Sequence, residues 1–354
     1  MSREIGIDLG TSNVLIHLKG HGIILNEPAV VALDTKTREI VAVGREAYDM
    51  IGRAPASIEI VRPIKKGVIS DFDVAEAMLV VLLERLNIQR WFSRPNVLIC
   101  SPAKISDIER ISLVEVAEKA SNGRIFLEDE ARVAAVGAGV DYFDPSSYMM
   151  IDIGGGTCDI AVISSGEMIV SETLKLAGDD FDAAIIQYFK EHHQLLIGER
   201  TAEAVKKQLA TAIFVSPAEM LTQAVKGRDL LTGLPKSINA HSNQMYEALK
   251  PLIEQIARVV KRVLEDLPPE IAADIAGKGI ILTGGGALIY QLDTFLTRQL
   301  KVSVIRSDQP LNSVGLGTGL MLDLILSGKL ERTNPTWKQK FRRWLRRWRR
   351  RIIG

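Results

Sequence analysis

Met149 to Ser164 reads MMIDIGGGTCDIAVIS, and the reading of that stretch decides the fold. An apolar run ends in Asp152, then come Gly154, Gly155 and Gly156, then Thr157, Cys158 and Asp159, then a second apolar run, Ile160 to Ile163. This spacing predicts strand, tight turn, strand. Adjacent glycines let a backbone take positive φ and approach a ligand with no Cβ in the way. Successive N–H groups in such a turn form an anion-binding concavity. A carboxylate just before the turn stands where a phosphate-bound Mg²⁺ needs an oxygen ligand. Taken alone, the same residues also fit an ordinary glycine-rich hairpin.

The stretch has an echo. Ile5 to Lys19, IGIDLGTSNVLIHLK, is again an apolar strand with an acid at its end, Asp8, a turn with Gly10, Thr11, Ser12 and Asn13, and a returning strand. Two copies of one acid-bearing hairpin predict two similar lobes facing a shared cleft. A third run, GIILTGGGALI from Gly279 to Ile289, predicts a buried strand ending in Thr283, the glycines Gly284, Gly285 and Gly286, and a helix opening at Ala287, a second kind of ligand cradle. No glycine stretch runs into Gly-Lys-Ser/Thr, so the P-loop pattern is excluded.

Composition narrows the class. A chain of 354 residues, 47% hydrophobic and 25% charged, reads as a soluble protein of two or more domains. Cys100 and Cys158 are the only cysteines, in no metal spacing, which suits a reducing cytoplasm and excludes a disulfide framework. No secretory signal and no membrane-spanning apolar run is expected. The net charge of +1 hides an asymmetry: Lys338 to Arg351 holds two lysines, seven arginines and no acid. The remainder carries 35 basic against 43 acidic residues.

Between the hairpins, short β-type runs fill residues 22–43, and residues 33–70 read as a small insertion. A helix is predicted over 71–86, capped by Asp71 or Asp73. Trp91 and Phe92 lie in a predicted loop, either packed on the lobe or exposed as an apolar tip for a membrane or partner. Glu128, Asp129 and Glu130 run into a predicted helix from Ala131 to Val140. Acids there suit the helix dipole, and a carboxylate facing the cleft suits activation of a water. Glu203, Lys206 and Lys207 fall on a helix that starts near Glu199, where a solvated charged face is the simpler reading. Arg228 to Lys236 reads as a loop or turn, Tyr246 to Leu267 as a long amphipathic helix stopped by Pro268-Pro269, and Val314 to Leu326 as the last helix of the body.

The ordered set Asp8-Leu-Gly-Thr, Asp152-Ile-Gly-Gly-Gly-Thr and Thr283-Gly-Gly-Gly resembles the signature of the actin-like ATPases. RPIKKGVISDFD (62–73), AGDDFDAAI (177–185), IGERTAEAVK (197–206) and GRDLLTGLPK (227–236) narrow the likeness to the bacterial MreB/Mbl family, over about residues 4 to 328. The resemblance implies an α/β actin-like fold: two duplicated lobes, each a mixed β-sheet flanked by helices, with a nucleotide cleft between them. Residues 1–32, 71–144 and 318–331 would form the first core and 33–70 its insertion. Residues 145–182 and 245–317 would form the second core and 183–244 its insertion, leaving 332–354 as a tail. ATP and Mg²⁺ are the implied cofactors. Thr11, Ser12 and Asn13, with Gly154, Gly155, Gly156 and Thr157, would hold phosphates, and Asp8 and Asp152 would hold the metal. Glu203, Lys206 and Lys207 would contact the adenosine, with Gly284, Gly285, Gly286 and Ala287 beneath it. Glu130, with Thr157, would serve the hydrolytic chemistry. Two departures bear on turnover. The family's Glu-Glu-Pro-Met is here Asp129-Glu130-Ala131-Arg132, and its Thr-Thr-Glu is Thr157-Cys158-Asp159.

In the tail, Trp337, Phe341, Trp344, Leu345, Trp348 and Ile352 make one apolar stripe on a helix, with cations around it. That composition suits an interfacial helix on anionic lipid. Nucleic-acid binding and docking on a partner protein are the alternatives, the first not expected. The resulting expectation is a cytoskeletal ATPase, cytoplasmic and peripheral on the inner membrane. It would polymerise with its own copies and work with membrane proteins of cell-wall elongation to maintain cell shape. A small-molecule kinase on the same fold is the alternative, and a chaperone ATPase lacks room for a peptide-binding domain.

Overall fold

A computed structural model describes residues 3–86, 94–102 and 105–330. Trp91, Phe92 and the tail positions Trp337, Phe341, Trp344, Leu345, Trp348 and Ile352 lie outside the described residues.

The first lobe starts with the echo hairpin. Glu4–Leu9 (β1) and Asn13–Leu18 (β2) pair antiparallel, with Asp8 opposite Leu15. Gly22–Pro28 (β3) adds to β2. Val31–Asp34 (β4), Ile40–Val43 (β5), the short helix Arg45–Asp49 (α1) and Ile58–Val61 (β6) follow, and the strands make a separate sheet in the order β5-β4-β6. Ile64–Lys65 (β7) and Val68–Ile69 (β8) form a two-stranded hairpin. Phe72–Arg85 (α2) is capped by Asp71, whose carboxylate accepts from the Val74 N–H. Asn96–Ser101 (β9) lies parallel to β1, Asp107–Ser121 (α3) opens on a Ser106/Glu109 capping box, and Arg124–Asp129 (β10) lies parallel to β9.

Glu130–Gly137 (α4) is shorter than the periodicity predicts. Strand β10 runs on through Glu128 and Asp129, which pair with Cys100 and Ser101, and α4 opens at Glu130, one residue before the expected start. The helix stops at Ala138, ahead of Gly139 at φ 91°.

The second lobe repeats the plan. Ser147–Ile153 (β11), Cys158–Ser164 (β12) and Glu167–Leu174 (β13) are antiparallel neighbours. Gly178–His193 (α5), Leu195–Leu196 (β14), Glu199–Leu209 (α6), Thr222–Asp229 (β15) and Pro235–His241 (β16) follow, with β14-β15-β16 as a small sheet. The stretch at 228–236 is the turn of this hairpin, since Arg228 pairs with Pro235 and Gly227 with Lys236. Ser242–Glu265 (α7) ends just before Pro268-Pro269. Those prolines also start Pro269–Lys278 (α8), a helix the pattern did not predict. Ile280–Thr283 (β17) lies parallel to β11. The glycines after it enter one 3₁₀ turn, Gly285–Leu288, rather than a full helix, and the helix proper is Leu292–Leu300 (α9). Val304–Arg306 (β18) and Ser313–Leu326 (α10) complete the body.

The large sheets run β3-β2-β1-β9-β10 and β13-β12-β11-β17-β18. In each, an antiparallel hairpin carries two parallel strands on its first strand, so the duplication covers the whole sheet. Each sheet has its own core: Ile5, Ile7, Val14, Ile16 and Leu79 in the first lobe, Ile151, Ile160, Phe181, Phe189 and Ile253 in the second. A third apolar cluster joins them, with Leu98, Val133, Met150, Ile163, Val314 and Met321. Here α4 and α10 touch backbone to backbone. A Cβ on Gly137 would fall 1.8 Å from the Ser313 carbonyl oxygen, and one on Gly317 1.9 Å from that of Val133.

Candidate functional site

The two hairpin tips are built alike and meet. Gly10 N–H donates to the Asn13 carbonyl at 3.1 Å, and Gly154 N–H to the Thr157 carbonyl at 2.9 Å. A Cβ on Gly155 would fall 2.0 Å from Ser12 Oγ, and one on Gly156 2.6 Å from Thr11 Oγ1. None of Gly154, Gly155 and Gly156 has positive φ. The expected left-handed backbone is thus absent, and close approach is what requires glycine at 155 and 156. Behind the turn, Gly178 N–H donates to Gly154 O at 3.1 Å and Asp179 N–H to Gly155 O at 2.8 Å, seating the tip on the start of α5. Asn13 is held by its own amide, which donates to Asn26 Oδ1 at 2.6 Å.

A third tip closes on these two. Between β7 and β8, Gly67 N–H donates to Thr11 Oγ1 at 3.0 Å, and the Gly67 Cα, at φ 76°, faces Thr157. Lys66 Nζ donates to both carboxylate oxygens of Asp180, at 2.6 and 2.5 Å, and so reaches from the first lobe to α5 of the second.

Acids line the space behind the tips. Asp152 faces Asp159 directly across β11 and β12, whereas the corresponding partner of Asp8 is Leu15. Burial pushes the Asp8 carboxyl up to about 7. Burial, then the charges of Asp159 and Asp8, push Asp152 up to about 8. Glu130, at the start of α4, is raised by burial and by Asp159, Asp8 and Asp152. Asp159 is also raised by burial, although it accepts the Thr173 hydroxyl at 2.5 Å. All four carboxyl groups are thus shifted the same way, by burial and, for Asp152 and Glu130, by the charges of their neighbours. Asp152 Oδ2 is buried with no hydrogen-bond partner among the described residues. This donor set fits a hard divalent cation.

The helix expected to face adenosine is occupied by protein partners. Glu203 accepts the Tyr48 hydroxyl from α1 and the Lys207 ammonium at 2.6 Å. Arg200 donates to the Asp49 carbonyl at 2.8 Å and carboxylate at 3.0 Å, and lies over the Tyr48 ring. Lys206 is not on a solvated face. Its side chain is 17% exposed and donates to Gly178 O and Asp182 Oδ2, each at 2.8 Å. Lys207 is 70% exposed and fits the solvated reading. In the third glycine run, Gly284 sits at φ 80° with its Cα against Asp152, and Gly285 is exposed, whereas Gly286 and Ala287 are packed inside. Thr283 is fully buried and donates to Ser313 Oγ at 2.7 Å, tying the run to α10.

Cys100 and Cys158 are buried free thiols, and burial raises both well above their ordinary value, so neither is poised as a nucleophile. Sequence reasoning assigned no role to Tyr48, Lys66, Gly67, Asp180, Asp182 or Arg200. All but Tyr48 lie in stretches quoted above for their family likeness. Tyr48 carries no sequence signal.

The MreB/Mbl protein family matches residues 2–328. The cell shape-determining protein Mbl of Bacillus subtilis (strain 168) is 49% identical over 322 residues, covering 91% of this chain and 96% of that protein. The cell shape-determining protein MreB of Escherichia coli (strain K12) is 40% identical over 331 residues, covering 92% and 94%. The crystal structure of MreB 5 of Spiroplasma citri bound to AMPPNP superposes with a TM-score of 0.88 at 35% identity, covering 93% of this chain and 98% of that one. The duplicated sheets around one cleft are thus the actin-like fold, and the chain belongs to the MreB/Mbl family.

Proposed function

We propose that this chain is an ATP-dependent actin-like cytoskeletal protein that polymerises into filaments and maintains cell shape by organising cell-wall synthesis. The observation that carries the reading is the meeting of two duplicated hairpin tips, Gly155 against Ser12, in front of four proton-rich carboxyl groups. Such backbone concavities suit polyphosphate. Thr11, Ser12, Asn13, Gly154, Gly155, Gly156 and Thr157 are the phosphate contacts in this reading. Asp8 and Asp152 hold Mg²⁺, which supplies charge neutralisation when bound. Glu203, Lys206, Lys207 and the run Gly284 to Ala287 surround the adenosine. Glu130, at the start of α4 and near enough to feel the charges of Asp159, Asp8 and Asp152, is the carboxyl group that orients the attacking water in this reading. Support for the nucleotide comes from the neighbour solved with AMPPNP, and for the cellular role from the names of the two relatives.

The division into two cores, their insertions at 33–70 and 183–244, and a tail from 332 belongs to the same proposal. So does peripheral attachment to the inner face of the membrane through the basic tail and Trp91-Phe92, with cell-wall elongation proteins as partners. No described helix is long and apolar enough to cross a membrane. A small-molecule kinase is not favoured, since both relatives are named for cell shape. Electron microscopy of the full chain on anionic vesicles tests the proposal. Filaments on the lipid with ATP support it. Bare vesicles and monomers under all nucleotide conditions, with phosphate transfer to a metabolite, contradict it.

A further inference from the structure

Arg132 is a buried cation two residues past Glu130 on α4, only 9% exposed. Its guanidinium lies 3.4 Å from Glu128 Oε2 at the end of β10 and 3.7 Å from Glu167 Oε2 at the start of β13. The first acid belongs to the same lobe as Arg132, and the second to the other lobe. Tyr142, in the 138–146 crossing between lobes, lines one shallow pocket with Arg132 and Gly166. Its ring closes on the β12–β13 turn, where a Cβ on Gly166 would fall 2.4 Å from Tyr142 Cε1. One side chain therefore meets the helix that carries Glu130, the interlobe crossing and a turn of the second lobe.

Packing alone does not call for a charge here. A buried guanidinium costs stability unless it is paired, and Arg132 Nε has no partner among the described residues. The far end of α4 is already fixed by the contact of Gly137 with Ser313. What the cation adds is a link from the first turn of α4 to Glu167.

We propose that Arg132 is a positioning residue that ties the Glu130 helix to the second lobe through Glu128 and Glu167, so that lobe closure and the aim of Glu130 move together. The inference rests on the proposed role of Glu130. The test uses the full chain as wild type, Arg132→Met, Glu167→Gln and the double variant. Two quantities are read, steady-state phosphate release from ATP and the dissociation rate of fluorescently labelled ADP. Glu167 is 65% exposed, so its substitution does not threaten folding and decides the matter even where Arg132→Met fails to fold. Each single variant is expected to lower kcat by about threefold, the scale of a half-exposed ion pair, with KM for ATP changed far less. Labelled ADP should leave about threefold faster, and the double variant should be no worse than Arg132→Met alone. Arg132→Lys should restore part of the loss. Unchanged turnover and dissociation in Glu167→Gln, or losses that simply multiply in the double variant, overturn the proposal. A wild type that binds ATP but releases no phosphate defeats the role of Glu130 instead, and the dissociation rates still decide whether the tie exists.

Discussion

The Tyr48 hydroxyl donates to the Glu203 carboxylate, joining α1 of the first lobe to α6 of the second. The carboxylate that the proposed reading gives to adenosine is therefore also the far end of an interlobe contact. Arg200 braces it from above the Tyr48 ring and through Asp49, and Lys66 to Asp180 makes a second span deeper in the cleft. Tyr48→Phe removes the hydroxyl and leaves the ring beneath Arg200. Stopped-flow dissociation of labelled ADP should speed up by about fivefold, the worth of one net hydrogen bond, with little change in melting temperature. An unchanged rate would mean that this contact does not restrain the cleft.

The three glycines of the second tip should not be equivalent. A Cβ on Gly154 meets nothing nearer than 3.4 Å, whereas one on Gly155 meets Ser12 Oγ at 2.0 Å and one on Gly156 meets the Lys66 Cα at 2.9 Å. Gly154→Ala should bind labelled ATP nearly as wild type does. Gly155→Ala and Gly156→Ala should lose about 1–3 kcal/mol of binding to displaced tips. Equal affinities for all three would contradict the close-approach account.

The acid cluster makes the nucleotide-free chain sensitive to pH. Folded Asp8 and Asp152 keep their protons up to about 7 and about 8, against an ordinary value of 3.8. The folded state thus binds more protons than the unfolded state above pH 3.8, and stability falls as pH rises through the folded values. Thermal melts should show a midpoint lower by a few degrees at about pH 8.5 than at about pH 6. Mg²⁺ with ATP should flatten the slope, and Asp152→Asn should reduce it. A midpoint that rises with pH in the nucleotide-free chain has the wrong sign for this cluster.

Both hairpins were legible because Gly154 to Gly156 and Gly10 to Asn13 interrupt dense β-branched runs, so local propensity and turn chemistry agree. The Asp71 cap was legible for the same local reason. Tyr48 and Lys66 were not, because their partners lie 155 and 114 positions away and nothing local marks a contact at that range. The start of α4 was legible to within one residue, whereas the run of β10 through Glu128 and Asp129 was not, because both are poor strand formers held extended by pairing with β9. Lys206 was given the bland alternative of a solvated face because Asp182, which removes it from solvent, stands on a different helix.

The tail makes a separate prediction from composition alone. A chain ending at Pro335 loses nine cations and the tryptophan stripe. Its co-sedimentation with anionic vesicles should fall to a small fraction of the full chain's, and most steeply at low salt, where surface charge acts furthest. Equal binding by the shortened chain would move the anchor elsewhere.

The central claim is that nucleotide in the cleft drives assembly. Ultracentrifugal pelleting of the full chain with ATP, with ADP and with neither tests it most directly, with Gly155→Ala run alongside. The account predicts a pelleted fraction that is high with ATP, lower with ADP, lowest without nucleotide and unresponsive to nucleotide in the variant. A fraction that is the same under all three conditions in the wild type would contradict it.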